Sequence, residues 1–482
     1  MPSLKKNIFY STLLTLANYI FPLITYPYVS RVLGVTNIGI CNFVDNIINY
    51  FLVFSTMGIS VLGVREIAAV RDNRKERDKA FSSLLALNAA TTFVAAVVLA
   101  VAIFVVPSLV PYRKLLFVGV AKLIANSLFL EWLFRGIEDF QYITNRSIII
   151  KTLYVVAVFV FVRKPEDYDI YYLLLALTVI LNALVNAVHS RRFVSFSLKD
   201  IKLGDFVKPY FLLGLNYILS AVYTSFNVIY LGFVQDAEQV GYYTSATKIL
   251  SMITALFSAC TTVLLPRMSA VLSEGKVEDF RRYVVNTIEI LFLIGIPAVF
   301  LLQAEAMDII RLISGAGYEG AILPMKIVAP MILISGLDQI LIVQILMPLK
   351  KDVRILINSA VGASVGIILN LLLIHSLGAR GSAIVWICAE LSVCIAALTA
   401  VFSNKSLTMP VKNVLGMVLL YLPLLLILYG ISTLQEMSFY LRLLLSGGVT
   451  GLFFIAVACW ILKNPLVLEF FGQLLRWRKK NG

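Results

Sequence analysis

The chain has 482 residues, of which 60% are hydrophobic and 14% charged, and its mean hydropathy is +0.90. Soluble domains contain roughly 45–50% apolar and about 25% charged residues, so this composition excludes an ordinary soluble fold and favours a protein surrounded by lipid. The formal net charge is +14. Because the basic residues fall in short connections between apolar segments, we expect them to face anionic membrane lipids and predict no nucleic-acid partner.

Long apolar segments follow one another along the whole chain. A membrane-spanning helix needs about 20 largely apolar residues. Fourteen segments meet this requirement and predict an all-α integral membrane protein with 14 transmembrane helices. In chain order the predicted spans are 8–30, 37–63, 80–106, 113–135, 142–162, 168–189, 208–232, 240–265, 283–303, 321–348, 355–376, 381–402, 412–431 and 439–462.

The connections between spans alternate in their content of lysine and arginine. If the chain starts in the cytoplasm, most of its 41 basic residues fall on the cytoplasmic side. Cytoplasmic loops carry the excess of Lys and Arg in membrane proteins. The pattern therefore predicts an even number of spans, with the N- and C-termini both cytoplasmic.

A weak internal repeat relates two parts of the chain. With a shift of 202 residues, 38–70 aligns with 240–272 without gaps, and Gly39 falls opposite Gly241. Repeats of six spans are a known transporter design, so the repeat predicts two six-helix lobes followed by a helix pair. The predicted domains are 1–205, 206–404 and 405–482, the last with a basic tail.

Polar side chains recur every three or four residues in spans 1, 2, 7 and 8, the first two of each lobe. This spacing places them on one face of each helix. Amides and hydroxyls can hold helices together, which is the alternative interpretation. Four matching stripes that include an Asp and a Lys favour a water-filled cavity between the lobes. The polar side chains expected to bind substrate there are Asn18, Asn46, Asn49, Asn216, Asn227 and Ser251.

Several basic residues lie inside or at the ends of spans. Lys248 lies about 12 Å into its span, too deep for simple snorkelling. Lys122 has Asn126 one turn along the same helix face. Snorkelling explains Lys326 as well as a functional role does, and Arg31 fits either an interfacial position or a cavity mouth. A cationic, hydroxyl- and amide-lined cavity suits an anionic substrate with phosphate and sugar groups.

Two acidic residues lie within predicted spans. Asp45 lies in span 2 at a depth similar to that of Lys248. Asp338 lies nearer the inner end of span 10, where pairing with a neighbouring base is the alternative. Acids inside membrane helices are costly, which makes both positions informative.

The sequence shows no sign of catalytic or metal chemistry. The chain has two histidines, and its five cysteines lie in apolar stretches, so we predict no metal site and no disulfide framework. A GxxxxGK[ST] loop is absent, which argues against a built-in ATPase. The connections are also too short to hold the paired carboxylates of a glycosyltransferase or polymerase. We therefore predict a protein that is not an enzyme and needs no cofactor.

Three stretches carry a resemblance to a known family: RVLGVTNIGICNF at 31–43, EWLFRGIEDFQYIT at 131–144 and RLISGAGYEGA at 311–321. Together they resemble the polysaccharide-transport branch of the multidrug/oligosaccharidyl-lipid/polysaccharide exporter (MOP) superfamily, the Wzx-type flippases. The similarity extends over essentially the whole chain. It implies two six-helix bundles in a V around a central cavity lined by spans 1, 2, 7 and 8.

The resemblance also implies a function. The substrate would be an undecaprenyl-pyrophosphate-linked oligosaccharide, moved across the bacterial inner membrane by alternating access for surface polysaccharide synthesis. Polymerases or glycosyltransferases would be partners. A proton or Na⁺ would drive the cycle, with Asp45 as the coupling acid and Asp338 as a second candidate. The pyrophosphate ligands implied by the family's cationic cavity are Lys248, Lys122, Arg31 and Lys326.

Other functions remain open from the sequence. A peptidoglycan-precursor flippase of the same superfamily also has a cationic cavity. A multidrug or metabolite exporter would be expected to have fewer cations and more acids in its cavity. A membrane-bound polymerase or glycosyltransferase is disfavoured by the short outer connections.

Overall fold

The computed structural model describes residues 4–402, 409–434 and 436–461, apart from the side chains of residues 4, 5, 8, 216, 223, 255–267, 402, 460 and 461. All regular secondary structure in these ranges is helical. The helices are α1 Leu4–Thr56, α2 Ile59–Ala69, α3 Arg74–Val105, α4 Arg113–Asn126, α5 Glu131–Gly136, α6 Phe140–Phe161, α7 Tyr168–Ser190, α8 Gly204–Val234, α9 Ala237–Ser273, α10 Val277–Ala304, α11 Ala306–Ile313, α12 Ile322–Val328, α13 Met331–Gln339, α14 Asp352–Phe402, α15 Val411–Ser432 and α16 Phe439–Ile455.

The two longest helices each bend at a single glycine that lies between two predicted spans. Helix α14 contains spans 11 and 12, and α1 contains span 1 and residues 37–56 of span 2. Gly34 in α1 has φ 75° and ψ 170°. Gly378 in α14 has φ 54° and ψ −129°. Glycine populates positive φ at little cost, so one residue can redirect the chain. The connections predicted between spans 1 and 2 and between spans 11 and 12 are therefore kinks rather than loops.

Three predicted spans are interrupted instead of continuous. Span 2 is divided between α1 and α2, with Met57 in the left-handed region at φ 42°. Span 4 is divided between α4 and α5, with Leu130 in the left-handed region at φ 46°. Span 10 is divided between α12 and α13 at Pro330, with a bend of 42°. Proline lacks the N–H that would continue the helical hydrogen bonds. A short π-helix, Ile340–Leu346, continues span 10 beyond α13.

The described helices have the length and apolar surface of membrane spans. Nine of them are long and apolar enough to cross a bilayer, or eleven if each bent pair is one span. Large apolar side chains such as Phe93, Leu426 and Leu444 are exposed by 70% or more, as expected for a surface that faces lipid. The protein is therefore a multi-pass membrane protein. This number counts the kinked helices α1 and α14 once each, although each could cross the membrane twice. The fourteen predicted crossings therefore stay a prediction.

The chain divides into two compact units. Unit 1 consists of Met1–Ser245, Ile313–Pro324 and Ser359–Ala389. Unit 2 consists of Ala246–Leu312, Met325–Asn358 and Glu390–Gly482. In this division α8 belongs to unit 1, and the predicted domains 1–205, 206–404 and 405–482 stay a prediction.

Each unit is held together by close helix contacts and buried apolar side chains. In unit 1, Gly63 of α2 packs against the Trp132 ring of α5 so closely that a Cβ would lie 2.6 Å from it. In unit 2, α15 packs on α10, where Tyr421 donates a hydrogen bond to the Leu293 carbonyl at 3.0 Å. Small residues and interhelical hydrogen bonds are the usual basis of helix packing in lipid.

Candidate functional site

A lysine, an aspartate and an asparagine from two helices of unit 1 form the clearest polar group within the spans. The Lys122 Nζ of α4 donates to Asp45 Oδ1 of α1 at 2.6 Å and lies 3.4 Å from Asn49 Oδ1. Asn49 Nδ2 in turn donates to Asp45 Oδ2 at 3.0 Å. We call these three residues the Lys122 cluster. It joins a predicted substrate ligand to the predicted coupling acid.

The Lys122 cluster is buried on one side and open on the other. The lysine side chain is 9% exposed and the Asp45 side chain 27%, while Asn49 is exposed. Opposite charges at this distance offset part of the cost of placing each charge in a low-dielectric region. The exposed amide and carboxylate leave room for a polar ligand to approach.

The face of α1 before the Lys122 cluster also carries amides. Asn46 Nδ2 donates to the Asn42 carbonyl at 2.9 Å, as an i−4 helix bond. Asn42 Nδ2 donates to Thr244 Oγ1 of α9 at 2.9 Å. This second bond joins two residues that differ by the repeat shift of 202.

A pair of glycines brings α1 and α9 into backbone contact beside that bond. A Cβ on Gly39 would lie 1.7 Å from the Ala237 carbonyl oxygen, and one on Gly241 would lie 2.3 Å from the Val35 oxygen. Gly39 and Gly241 are also repeat equivalents. Equivalent residues meet each other near a two-fold axis, so this "glycine contact" between Gly39, Asn42, Gly241 and Thr244 supports the repeat found in the sequence.

The first and third resemblance stretches dock on each other in unit 1. Ser30 Oγ donates to the Ile313 carbonyl at 3.2 Å, and Tyr318 Oη donates to the Ser30 carbonyl at 3.1 Å. Gly315 has φ +94°. The Arg31 side chain packs against it so closely that a Cβ on residue 315 would lie 2.8 Å from Arg31 Cγ. Arg31 is exposed and donates to the Pro27 carbonyl at 2.7 Å.

Three further predicted ligands of unit 1 have different surroundings. Asn18 is exposed and accepts a hydrogen bond from Lys151 Nζ. Asn227 is fully buried, accepts from Asn370 Nδ2 at 2.7 Å and donates to the Ser382 carbonyl at 3.4 Å. This placement favours the helix-packing role for Asn227 over contact with a ligand. Asn216 lies in α8, and its side chain is outside the described part of the structure.

The predicted ligands of unit 2 lie on α9 and α12. Lys248 and Ser251 are exposed on α9, and Ser251 Oγ donates to the Lys248 carbonyl at 2.8 Å. Lys326 is half-buried on α12, and its carbonyl accepts from Gln303 Nε2 at 2.7 Å. Their roles in substrate binding stay predictions.

The second predicted coupling acid lies beside another acid. Asp338 of α13 and Glu390 of α14 are both buried, and their carboxyls are close enough to interact electrostatically. Ser335 Oγ donates to Glu390 Oε1 at 3.0 Å. Sequence reasoning assigned Glu390 no role, because nothing near it along the chain signals a partner on span 10.

A further charged group in unit 2 was also missed from the sequence. Arg442 of α16 donates through Nη2 to Asp308 Oδ1 of α11 at 2.6 Å. Ser446 Oγ donates to Glu305 Oε1 at 2.7 Å, and Glu305 Oε2 lies 4.0 Å from Arg442 Nε. We call these four residues the Arg442 anchor.

Comparison with solved structures identifies the fold. A lipid II flippase, MurJ, in an inward closed conformation superposes with a TM-score of 0.76 at 17% identity, covering 94% of this chain and 99% of that one. An inward-facing multidrug resistance MATE transporter of the MOP superfamily gives 0.56 at 17% identity, covering 84% and 95%. At these identities the likeness shows a shared fold, that of MOP-superfamily transporters.

Sequence comparison identifies the family. A protein of Escherichia coli (strain K12) described as a "Putative O-antigen transporter" is 26% identical over 423 residues, which are 84% of this chain and 98% of that protein. A Shigella dysenteriae protein with the same description is 24% identical over 55% of this chain and 67% of its own length. The family model described as "Polysaccharide biosynthesis protein" matches residues 4–272, more than half of the chain. The chain therefore belongs to the polysaccharide biosynthesis protein family.

Proposed function

We propose that this protein is a flippase that moves an undecaprenyl-pyrophosphate-linked oligosaccharide from the cytoplasmic to the outer leaflet of the bacterial inner membrane. The glycan then serves the synthesis of O-antigen, capsule or exopolysaccharide. The relatives described as O-antigen transporters support this substrate class. The fold shared with a lipid II flippase supports the same kind of movement.

The observation that carries the proposal is the half-open Lys122 cluster inside the helical bundle. A flippase must move a charged, hydroxyl-rich head group through a low-dielectric layer, while the lipid tail can stay in the bilayer. Lys122 supplies a positive charge for phosphate, and Asn49 supplies an amide for hydroxyl or phosphate oxygens. Asp45 neutralises the lysine when no phosphate is present, which lowers the cost of an empty charged site.

Ion coupling follows from the same arrangement. Asp45 is shared between Lys122 and Asn49. A proton or Na⁺ at Asp45 would weaken its hold on Lys122, so that ion binding and phosphate binding become linked. The buried carboxyls of Asp338 and Glu390 suit a second cation position in unit 2.

The proposal includes fourteen spans with both termini in the cytoplasm. With this orientation the glycine contact lies toward the outer surface, because it follows the Gly34 kink between spans 1 and 2. Its tight backbone packing fits a closed outer gate that opens in the other half of an alternating-access cycle. Substrate would then enter the site from the cytoplasmic side.

Deletion of the gene tests the proposal. In a strain without a second flippase of this class, we expect loss of surface polysaccharide and accumulation of lipid-linked oligosaccharide that faces the cytoplasm. The wild-type gene should restore both, and a Lys122→Ala gene should not. Surface polysaccharide that persists after deletion would contradict the proposal.

The same strains distinguish the related functions. Growth rescue after depletion of the peptidoglycan-precursor flippase would identify lipid II as the substrate. Altered drug susceptibility with unchanged polysaccharide would identify an exporter. Sugar transfer by the purified protein would identify a glycosyltransferase.

A further inference from the structure

A cavity of about 320 Å³ lies in unit 1 at the interruption of span 4. Its polar lining comes from the end of α1, the start of α2, the middle of α3, the end of α4 and both ends of α5. We call it the α5 cavity. The polar residues that line it include Thr56, Ser60, Asn126, Glu131 and Arg135, and the apolar ones include Phe129 and Trp132.

The α5 cavity adjoins the Lys122 cluster along two helices. Asn126 follows Lys122 by four residues on α4, a distance of about 6 Å along the helix. Thr56 follows Asn49 by seven residues on α1, two turns further along a similar face. A ligand with phosphate at Lys122 therefore places its adjoining group within reach of the cavity.

The charged lining of the cavity is held in a fixed orientation. Arg135 Nε donates to Glu131 Oε1 at 2.9 Å, and Arg146 Nη2 lies 3.8 Å from Glu131 Oε2. The Asn126 amide, in contrast, has no hydrogen-bond partner among the residues that the structure describes. Carboxylate, guanidinium and amide groups supply both donors and acceptors, which is what the hydroxyls of a sugar ring require.

The backbone around the cavity adopts costly conformations. Leu130, which lines it, has φ 46°, Met57 next to Thr56 has φ 42°, and Glu138 beyond α5 has φ 63°. Left-handed conformations of such residues are strained, and they cluster at ligand sites. They also account for the break that turns the end of span 4 into a cavity wall.

The size of the cavity limits its occupant. Small-molecule pockets usually measure about 300–1,000 Å³, so the α5 cavity is at the lower limit and corresponds to about ten water volumes. This space suits one sugar ring and not an entire oligosaccharide. The aromatic residues Phe129 and Trp132 offer apolar surface for the C–H face of such a ring.

We infer that the α5 cavity is a sugar subsite that holds the ring attached directly to the phosphate of the substrate, with Asn126 and Glu131 as its hydrogen-bonding residues. The inference rests on the proposed function, since it places the phosphate at Lys122. It assigns a role to the second resemblance stretch, in which Glu131, Trp132 and Arg135 lie. The subsite makes recognition depend on the first sugar as well as on the phosphate.

Binding of soluble head-group fragments to the purified full-length protein tests the inference. The probes are N-acetylglucosamine 1-phosphate, glucose 1-phosphate, galactose 1-phosphate and inorganic phosphate, measured by titration calorimetry. At least one sugar phosphate should bind about tenfold more tightly than inorganic phosphate, the factor that one good hydrogen bond to a charged group supplies. Asn126→Ala should remove this advantage and leave phosphate binding unchanged.

Two further variants make the result decisive. Asn145→Ala, at an exposed position that lines a different cavity, should bind all probes as the wild type does. Glu131→Gln keeps the side-chain shape and should also reduce the sugar advantage, even if Asn126→Ala fails to fold. Equal binding of every sugar phosphate and inorganic phosphate to the wild type would overturn the subsite while leaving the proposed function standing. Absence of phosphate binding together with absence of flipping would overturn both.

Discussion

The Arg442 anchor and the Lys122 cluster are both ion pairs among apolar helices, yet they differ in what remains open. In the anchor, the Arg442 and Asp308 side chains are 9% and 2% exposed, and two guanidinium nitrogens bond one carboxylate. In the Lys122 cluster, a single ammonium bonds an aspartate that is 27% exposed. A bidentate arginine fixes geometry, whereas a lysine acts as a point charge that can change partners.

Arg442 therefore has the surroundings of a structural charge, whereas Lys122 has those of a candidate substrate ligand. The anchor joins α16 to the α10–α11 region, and its partners already satisfy each other. The Lys122 cluster lies beside an open amide and next to the α5 cavity. What distinguishes the two is therefore the accessibility of the partner atoms, since both contain a cation buried to the same degree.

The largest effect is expected from breaking the anchor. Arg442→Met leaves Asp308 and Glu305 buried without their cation, and removal of one partner of a buried pair costs about 3–5 kcal/mol. We expect little folded protein, measured by fluorescence-detected size-exclusion chromatography and thermal unfolding in detergent. The matched control is Arg282→Ala, which removes an exposed pair with Asp279 in the same unit and should cost about 0–1 kcal/mol. Wild-type stability of Arg442→Met would show that the anchor is dispensable.

The next largest effect concerns the glycine contact. Gly39→Leu places a side chain where even a Cβ would overlap the Ala237 carbonyl oxygen, so we expect transport to be abolished with the protein still inserted in the membrane. Gly448→Leu is the control, because a Cβ there meets no atom within 4 Å. Transport in a complemented deletion strain checks both. An active Gly39→Leu protein would show that the glycine contact is not a gate.

Loss of the lysine in the Lys122 cluster should reduce transport and spare the fold. Lys122→Ala removes a charge-assisted hydrogen bond to phosphate, worth about 1.5–3 kcal/mol, or roughly 10–100-fold in transport rate. Lys114→Ala is the matched control on the same helix, where an exposed lysine pairs with Asp169. Surface polysaccharide per folded protein is the measurement. Equal losses of transport in Lys122→Ala and Lys114→Ala would show that the Lys122 cluster has no special role in substrate binding.

The smallest effect is expected at Lys248, an exposed lysine of unit 2. The attraction between a lysine and a phosphate in a solvent-exposed position contributes about 1 kcal/mol. Lys248→Ala should therefore reduce transport about fivefold, with little loss of folded protein. The comparison is with Lys122→Ala in the same assay. Unchanged transport by a well-expressed Lys248→Ala protein would exclude Lys248 from the substrate path.

The sequence predicted the positions of the helices better than their partners. Apolar segment lengths predicted where most of the long helices lie, whereas the alignment of Gly39 with Gly241 did not predict that the two glycines touch. The bond between Lys122 and Asp45 was not predictable, because it joins helices 77 residues apart and depends on how each helix is rotated. Glu390 and Arg442 were missed for the same reason. Asn227 fits the polar stripe of span 7, but periodicity cannot tell whether a stripe faces solvent or another helix.

The breaks in spans 4 and 10 were also beyond the sequence analysis. Hydropathy averages over about twenty residues and is insensitive to a single left-handed leucine such as Leu130. The interruption nevertheless decides the function of the region, because it creates the α5 cavity. Local strain of this kind is set by tertiary packing.

The most direct test of the central claim is flipping by the purified protein in liposomes that contain a lipid-linked oligosaccharide. The fraction of glycan accessible to an added glycosidase is measured over time for the wild type, Lys122→Ala and Lys114→Ala. We predict rapid exposure of the inner-leaflet glycan with the wild type and Lys114→Ala, and exposure slowed roughly 10–100-fold with Lys122→Ala. Equal rates for the wild type and Lys122→Ala would contradict the claim that the Lys122 cluster binds the head group.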